Sequence, residues 1–161
     1  MPNTIVVGVD GSDGSVAALR WALDEARLRG SSVRVVHAYR SPQFPLTEPQ
    51  LGVAGGMGVP VMVDEGAEEL RRAIETQAQG VIDESVRRVG EDAVDGLEIE
   101  RIALDGPAAQ TLIEAGRGAE LLVVGSRGHG GFVGLLLGSV SQQCAQHATC
   151  PVVIIPHERG R

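Results

Sequence analysis

The stretch that most constrains how this chain can fold is 121–141, which reads LLVVGSRGHGGFVGLLLGSVS. It begins with a short, unbroken apolar run, which is typical of a parallel strand covered on both faces. Glycines then follow at Gly125, Gly128, Gly130, Gly131, Gly134 and Gly138. Without a Cβ atom, a glycine backbone can approach a ligand closely. Ser139 or Ser141 is placed to cap the helix that follows, so the stretch predicts a strand, a turn and a helix N-terminus suited to an anion.

Predicted strands and helices alternate along the whole chain. Apolar runs predict strands at 4–9, 33–39, 97–104, 121–124 and 151–155, and helical periodicity predicts helices at 15–29, 67–89, 107–115 and 139–148. This alternation predicts an α/β fold in which a parallel sheet carries helices on both faces. The segment 41–66 contains four prolines and no regular period, which predicts a long loop.

Composition and charge narrow the class of protein. A length of 161 residues predicts one domain, 1–161, built around a single core. Because aromatic residues make up only 2% of the chain, that core must consist of Val, Leu, Ile and Ala, which favours a parallel sheet. The net charge of −7 argues against nucleic acid or an anionic membrane as a partner. The sequence contains no lysine, which excludes Schiff-base chemistry and a phosphate-binding P-loop lysine.

The lack of a recognisable targeting signal and the cysteine pattern predict a cytoplasmic protein. The N-terminal residues MPNTIVVGVDGS show no charged leader or long apolar segment, and no run reaches the length of a membrane span. Cys144 and Cys150 flank His147 in the pattern C-x2-H-x2-C, which lacks the four ligands of a structural zinc site. We therefore expect both cysteines to be buried, reduced thiols.

The glycine spacing is more specific than the number of glycines. Gly125, Gly128 and Gly138-Ser139 form the pattern G-x2-G-x9-G-[ST], which resembles the nucleotide-binding signature of the ATP-binding universal stress proteins. The resemblance extends to IVVGVDGSDGS at 5–15, VVHAY at 35–39, GPAAQTLI at 106–113 and HATCPVVIIP at 147–156. It implies a doubly wound five-stranded sheet with strand order 3-2-1-4-5, the adenine nucleotide alpha hydrolase-like fold. It also implies a nucleotide-dependent stress sensor or regulator that binds ATP, with Mg²⁺ carried by the phosphates.

The implied strand order locates the candidate site. The first and fourth strands become neighbours whose chains leave in opposite directions, and ligands of such sheets bind beyond the carboxyl ends of the strands at that point. The candidate nucleotide-binding residues are Val9, Asp10, Ala38, Gly125, Ser126, Arg127, Gly128, Gly138, Ser139, Val140 and Ser141. In the family that this chain resembles, the strand position matching Ala38 contacts adenine through its backbone.

Two candidate side chains have alternative interpretations. Asp10 could accept hydrogen bonds from a ribose hydroxyl or reach a phosphate-bound Mg²⁺, but it could also stabilise only the turn. Arg127 could lie beside a phosphate or could be an exposed loop arginine, since glycine N–H groups can bind an anion without it.

An enzyme is the alternative to a binding protein. Slow ATP hydrolysis or autophosphorylation would involve Ser139, Ser141 or His129, but no nucleophile or orienting carboxylate lies near His129 in the sequence. A third possibility is cyclic AMP or AMP in the same cleft. We expect binding without strong catalysis.

The fifth predicted strand suggests a partner. Its residues Val152, Val153, Ile154 and Ile155 leave an apolar sheet edge, which a second copy of the chain would cover by antiparallel pairing under two-fold symmetry. Members of the family that the chain resembles use this edge in the same way. We therefore expect a homodimer.

Overall fold

The computed structural model describes residues 3–42, 65–130, 134 and 136–157. Its strands and helices, in chain order, are β1 (Thr4–Gly8), α1 (Asp13–Arg29), β2 (Ser32–Tyr39), α2 (Glu65–Val89), a 3-10 turn (Glu91–Ala93), β3 (Ile99–Asp105), α3 (Ala108–Ala115), β4 (Leu121–Gly125), α4 (Ser139–His147) and β5 (Val152–Ile155). The observed ends differ from the predicted ones by a residue or two, as is usual for strand and helix boundaries. Most of the predicted loop at 41–66 lies outside the described residues.

The five strands form one parallel sheet in the order β3-β2-β1-β4-β5. This confirms the predicted fold class. β1 is central, so that Val7 pairs with Val35 of β2 on one side and with Val123 of β4 on the other. The order reverses between β1 and β4, which opens a crevice at their carboxyl ends.

Two apolar cores cover the two faces of the sheet. Alternate residues of a strand point to opposite faces, so Ile5 and Val7 pack in the core that contains Leu19 of α1. Val6 packs in the other core, with Leu112 of α3. β1 is therefore buried on both sides, which explains why its sequence is continuously apolar instead of alternating.

Local signals set the ends of α1, which borders the crevice. The hydroxyl of Ser12 accepts a hydrogen bond from the N–H of Ser15 and caps the first turn. Gly30 ends the helix with a φ of 68°, the left-handed conformation that glycine adopts most easily. Within the described residues, none of the helices has both the length and the apolar character that a membrane crossing requires.

Both cysteines are free thiols, but they differ in exposure. Cys144, which belongs to α4, is fully buried in the core, whereas Cys150 is only half-buried. Burial, with a small contribution from nearby Cys150, raises the pKa of the Cys144 thiol to about 11. Cys144 is therefore a protonated, unreactive packing residue at neutral pH.

Candidate functional site

A cavity of about 230 Å³ lies beyond the carboxyl ends of β1, β2 and β4. Ten of the eleven predicted binding residues line it: Val9, Asp10, Ala38, Gly125, Arg127, Gly128, Gly138, Ser139, Val140 and Ser141. The strand order brings these residues together from four separate segments of the chain. The eleventh predicted residue, Ser126, does not line the cavity.

Ser126 is buried behind the cavity, where it joins three segments. Its carbonyl oxygen accepts a hydrogen bond from the N–H of Gly138 at 2.6 Å and one from the hydroxyl of Ser141 at 2.9 Å. Its own N–H donates to the carbonyl of Ile155, and its hydroxyl accepts from the N–H of His157. Ser126 therefore fixes the glycine turn against both α4 and the end of β5.

Asp10 is held in a tight turn at the end of β1. One oxygen of its carboxylate, Oδ1, accepts hydrogen bonds from the N–H and the hydroxyl of Ser12. Burial by itself would raise the pKa of Asp10, but the hydrogen bonds from Ser12 and Ser15 outweigh burial and hold the pKa below its usual value. The carboxylate is therefore charged at neutral pH. The turn-stabilising interpretation holds for Oδ1, while Oδ2 lies directly against Gly128.

The three glycines of the G-x2-G-x9-G-S pattern have different surroundings. A Cβ atom on Gly125 would lie 2.9 Å from the carbonyl oxygen of Gly14, and one on Gly128 would lie 2.5 Å from Oδ2 of Asp10. Both distances are too short for a real contact. At Gly125 the obstructing atom is backbone, so the turn requires a glycine there, whereas at Gly128 it is a side-chain oxygen of Asp10, which would have to move. A Cβ on Gly138 would lie 3.4 Å from the carbonyl oxygen of Ser126, which is ordinary contact.

The two ends of the glycine pattern meet at the start of α4. A Cβ atom on Gly138 would lie 3.9 Å from the backbone nitrogen of Gly128. The prediction that Ser139 or Ser141 caps the helix is wrong, because Gly138 occupies the N-cap position. The hydroxyl of Ser141 lies within donating distance of the carbonyls of Ser126 and Gly138, so it is not an acceptor for the helix.

The first turn of α4 lines the cavity. The backbone N–H groups of Ser139, Val140 and Ser141 have no partner four residues earlier within the helix, as at the start of any α-helix, and all three residues line the cavity. Free N–H groups and the positive end of the helix dipole attract an anion. Arg127, which also lines the cavity, adds a positive charge.

Two histidines lie at the edges of the cavity, and each bonds to a backbone carbonyl. Nδ1 of His37 lies 2.7 Å from the carbonyl oxygen of Val9, and Nε2 of His129 lies 2.9 Å from that of Asp10. Because a carbonyl only accepts hydrogen bonds, each of these nitrogens carries the proton of its bond. Nε2 of His129 is therefore not poised as a general base.

Sequence reasoning missed the apolar wall of the cavity. Val36 of β2 and Ala108 and Leu112 of α3 line the cavity as well. Leu112 also packs against Gly8, where an added Cβ atom would lie 2.7 Å from its Cδ1. The sequence predicted a helix at 107–115, but only the position of α3 over the sheet shows which of its residues reach the cavity.

The fold and the site define a class of protein: a doubly wound α/β domain whose cleft at the switch point is lined by apolar side chains, a glycine turn and the first turn of a helix. The sequence model of the Universal stress protein family matches residues 1–156, and the chain belongs to this family.

Individual relatives are similar over nearly the whole chain. The universal stress protein Rv2623 of Mycobacterium tuberculosis is 34% identical over 154 residues, which are 96% of this chain and 48% of that protein. Universal stress protein YxiE of Bacillus subtilis is 28% identical over 157 residues, which are 96% of this chain and 99% of that protein. The chain spans about half the length of the mycobacterial relatives that it matches.

Solved structures of universal stress proteins share the fold. UspA from Lactobacillus plantarum superposes with a TM-score of 0.69 at 19% identity and covers 95% of this chain and 97% of its own. A universal stress protein in complex with cAMP superposes with a TM-score of 0.57 at 24% identity, covering 95% of each chain. The Archaeoglobus fulgidus protein in complex with dAMP gives a TM-score of 0.50 at 25% identity, covering 94% of this chain and 96% of its own.

Proposed function

We propose that this chain binds ATP in the cleft between β1 and β4 and acts as a nucleotide-dependent stress sensor or regulator. The observation that carries the proposal is the start of α4. There, the cavity is lined by Gly138 and by three residues whose backbone N–H groups have no helical partner, Ser139, Val140 and Ser141. A phosphate chain is the ligand chemistry that this arrangement fits.

The apolar wall suits the base of the nucleotide. Val36, Ala38 and Leu112 line the cavity and offer apolar surface against which a flat ring can pack. The carboxylate of Asp10 also lines the cavity, and its Oδ2 lies against Gly128. A ribose held between wall and turn would bring its hydroxyls to this carboxylate, which accepts hydrogen bonds readily in its charged state.

Magnesium would enter with the phosphates. Among the described residues, no group of three or more His, Cys, Asp or Glu side chains is arranged to hold a metal ion. Mg²⁺ commonly binds through one or two carboxylates together with substrate phosphates and water, and Asp10 offers one such carboxylate. The residues present therefore fit a metal ion that the nucleotide brings with it.

AMP, dAMP or cyclic AMP is the second candidate ligand, favoured by the cAMP and dAMP complexes of similar proteins. Titration calorimetry of the purified chain with ATP, ADP, AMP and cAMP in the presence of Mg²⁺ separates the two. If the start of α4 holds the outer phosphates, affinity should fall in the order ATP, ADP, AMP. Equal affinity for ATP and AMP would contradict the ATP proposal, and no binding of any adenine nucleotide at millimolar concentration would overturn the proposed function.

We propose that the protein binds ATP without strong turnover. The Nε2 atom of His129 donates to a backbone carbonyl, and the Ser141 hydroxyl lies against two more. Neither group is arranged to activate water or to attack a phosphate. Phosphate release and incorporation of labelled phosphate should remain at the level of a buffer control. Turnover that disappears in Gly138→Val would support the enzymatic alternative.

We further propose that the chain is a cytoplasmic homodimer paired through β5. β5 is an edge strand, and its four residues are only half-buried in the single chain. A second copy would cover this edge, as the second half of the longer mycobacterial relatives could do within one chain. Two free cysteines fit a reducing compartment. Sedimentation velocity at micromolar concentration should give a dimer, and replacing Val153 by Glu should give a monomer. A monomeric parent protein would contradict the pairing.

A further inference from the structure

The turn that carries Asp10 into the cleft depends on Gly11. The hydrogen bond from the N–H of Ser12 to the Asp10 carboxylate closes a small ring of chain, and Gly11 lies inside that ring. Gly11 has a φ of +81°, in the left-handed region that glycine adopts most easily. The position of the carboxylate is therefore tied to the position of one peptide unit, the carbonyl of Gly11.

That carbonyl is held from outside by α2. Nη1 of Arg88 donates to the carbonyl oxygen of Gly11 at 2.9 Å, and Nη2 of the same guanidinium donates to the carboxylate of Asp13 in the first turn of α1. Val81 lies two helical turns before Arg88 on the same face of α2. Its Cγ1 atom would be 3.7 Å from a Cβ on Gly11, so it closes over the same glycine. One guanidinium thus bridges the turn and the helix that follows it.

We infer that Arg88 is a positioning residue for the nucleotide cleft, which holds the Gly11 carbonyl and the start of α1 in place and thereby fixes the Asp10 carboxylate. The inference rests on the proposed function. Arg88 does not line the cleft and is not a ligand contact. It acts from the opposite side of the turn, through Gly11.

The chemistry of arginine suits this task. The planar guanidinium presents several N–H groups at fixed angles, so it can donate to a carbonyl and to a carboxylate at the same time. A lysine at this position keeps the charge but is a point donor, and would retain one contact at the expense of the other.

The exposure of the Arg88–Asp13 ion pair indicates that the pair contributes more to the local geometry of the turn than to the stability of the whole fold. The side chain of Arg88 is 34% exposed and that of Asp13 is 83% exposed. Exposed ion pairs contribute little to the free energy of unfolding because water already solvates both charges. Loss of Arg88 should therefore loosen the turn, and weaken ligand binding, by more than it destabilises the fold.

The experiment compares Arg88→Ala and Arg88→Lys with Arg87→Ala. Arg87 is the matched control, because it is the neighbouring arginine of α2 and its described partner is Glu84 of the same helix. Binding of ATP with Mg²⁺ is measured by calorimetry well below the melting temperature, which is recorded separately for each variant. Arg88→Ala should weaken binding by about three- to tenfold, which corresponds to the loss of one or two ordering hydrogen bonds. Arg88→Lys should fall between Arg88→Ala and the parent, and Arg87→Ala should bind as the parent does.

A coupling measurement distinguishes positioning from a general structural role. In an Asp10→Ala background the group that Arg88 positions is absent, so Arg88→Ala should then change the affinity by less than about twofold. Hydrogen exchange of the peptide covering residues 9–15 should accelerate in Arg88→Ala and not in Arg87→Ala. Parental affinity in Arg88→Ala, or an equal loss in the presence and absence of the Asp10 carboxylate, would overturn the inference. If the parent protein binds no adenine nucleotide, the proposed function fails instead.

Discussion

The substitution Gly138→Val tests the ATP proposal at the point where its geometry is most specific. Gly138 has φ −74° and ψ 168°, an extended backbone that any residue can adopt. Its added Cβ atom would lie 3.4 Å from the Ser126 carbonyl oxygen and 3.5 Å from Cα of Arg127, and neither contact is a clash. The main folding cost is that of a less favourable N-cap residue, about 1 kcal/mol. We therefore expect a folded protein with a slightly lower melting temperature.

Gly138→Val should weaken ATP binding much more than it lowers the stability of the fold. Gly138 lines the cavity beside Ser139 and Val140, so we expect the two methyl groups of valine to take up room that phosphates bound at these N–H groups need. Each hydrogen bond from an N–H group to a charged phosphate contributes about 1.5–3 kcal/mol, so losing two of them should weaken ATP binding by at least about 100-fold. Gly138→Ala keeps the helix start but adds a single methyl group, and should have a smaller effect.

The assay is titration calorimetry with ATP and Mg²⁺, accompanied by thermal unfolding of the ligand-free protein. Gly80→Ala is the matched control, because Gly80 lies in the exposed middle of α2 and an added Cβ there meets nothing within 4 Å. If Gly138→Val binds ATP as tightly as the parent protein, then the start of α4 is only a structural turn. A large loss of stability in Gly138→Val would show that the backbone of residues 126–128 cannot accommodate the larger side chain.

Three further predictions concern stability. Gly125→Ala should destabilise the fold by about 1–3 kcal/mol in chemical unfolding, because its Cβ would lie 2.9 Å from the backbone oxygen of Gly14; an unchanged midpoint would contradict this packing. Gly80→Ala should raise stability by about 0.5–1 kcal/mol, since alanine is the better helix former, and should leave ATP affinity unchanged. The folded-state pKa of Asp10 lies below its usual value of 3.8, so its stabilising contribution is present above that value and is lost as the pH falls through the folded pKa. Unfolding followed from about pH 5 to pH 2 should show a shallower loss of stability in Asp10→Asn than in the parent, and identical pH profiles would exclude this contribution.

The sheet could be predicted from the sequence because its strands carry the signal themselves. The runs of β1 and β4 are continuously apolar, which indicates burial on both faces without reference to any other part of the chain. The order of the strands did not follow from these runs, because any pair of apolar strands can be neighbours. It came from the resemblance to a family, and the register of β1 with β2 and β4 agrees with it.

The site was predictable where it depends on local sequence and not where it depends on packing. The glycine turn and the start of α4 are adjacent in sequence, so their joint position in the cleft could be anticipated. Contacts between distant segments could not. Nothing in the sequence around Gly125 indicates that Gly14 packs against it, and nothing around Leu112 indicates that it lines the cavity. The helix cap was misassigned to Ser139 or Ser141 for a similar reason, because the hydroxyl of Ser141 bonds instead to the carbonyl of Ser126.

The hydrogen bonds of Ser126 have a consequence for communication between the cleft and the sheet edge. Its backbone and side chain bond at once to the start of α4 and to residues Ile155 and His157 at the end of β5. A phosphate that draws the first turn of α4 towards itself would pull on the same residue that anchors the edge strand. If ATP binding and β5 pairing both occur, and the pull alters that edge, the two equilibria are thermodynamically linked. If the nucleotide changes the dimerisation constant by some factor, dimerisation must change the affinity for the nucleotide by the same factor.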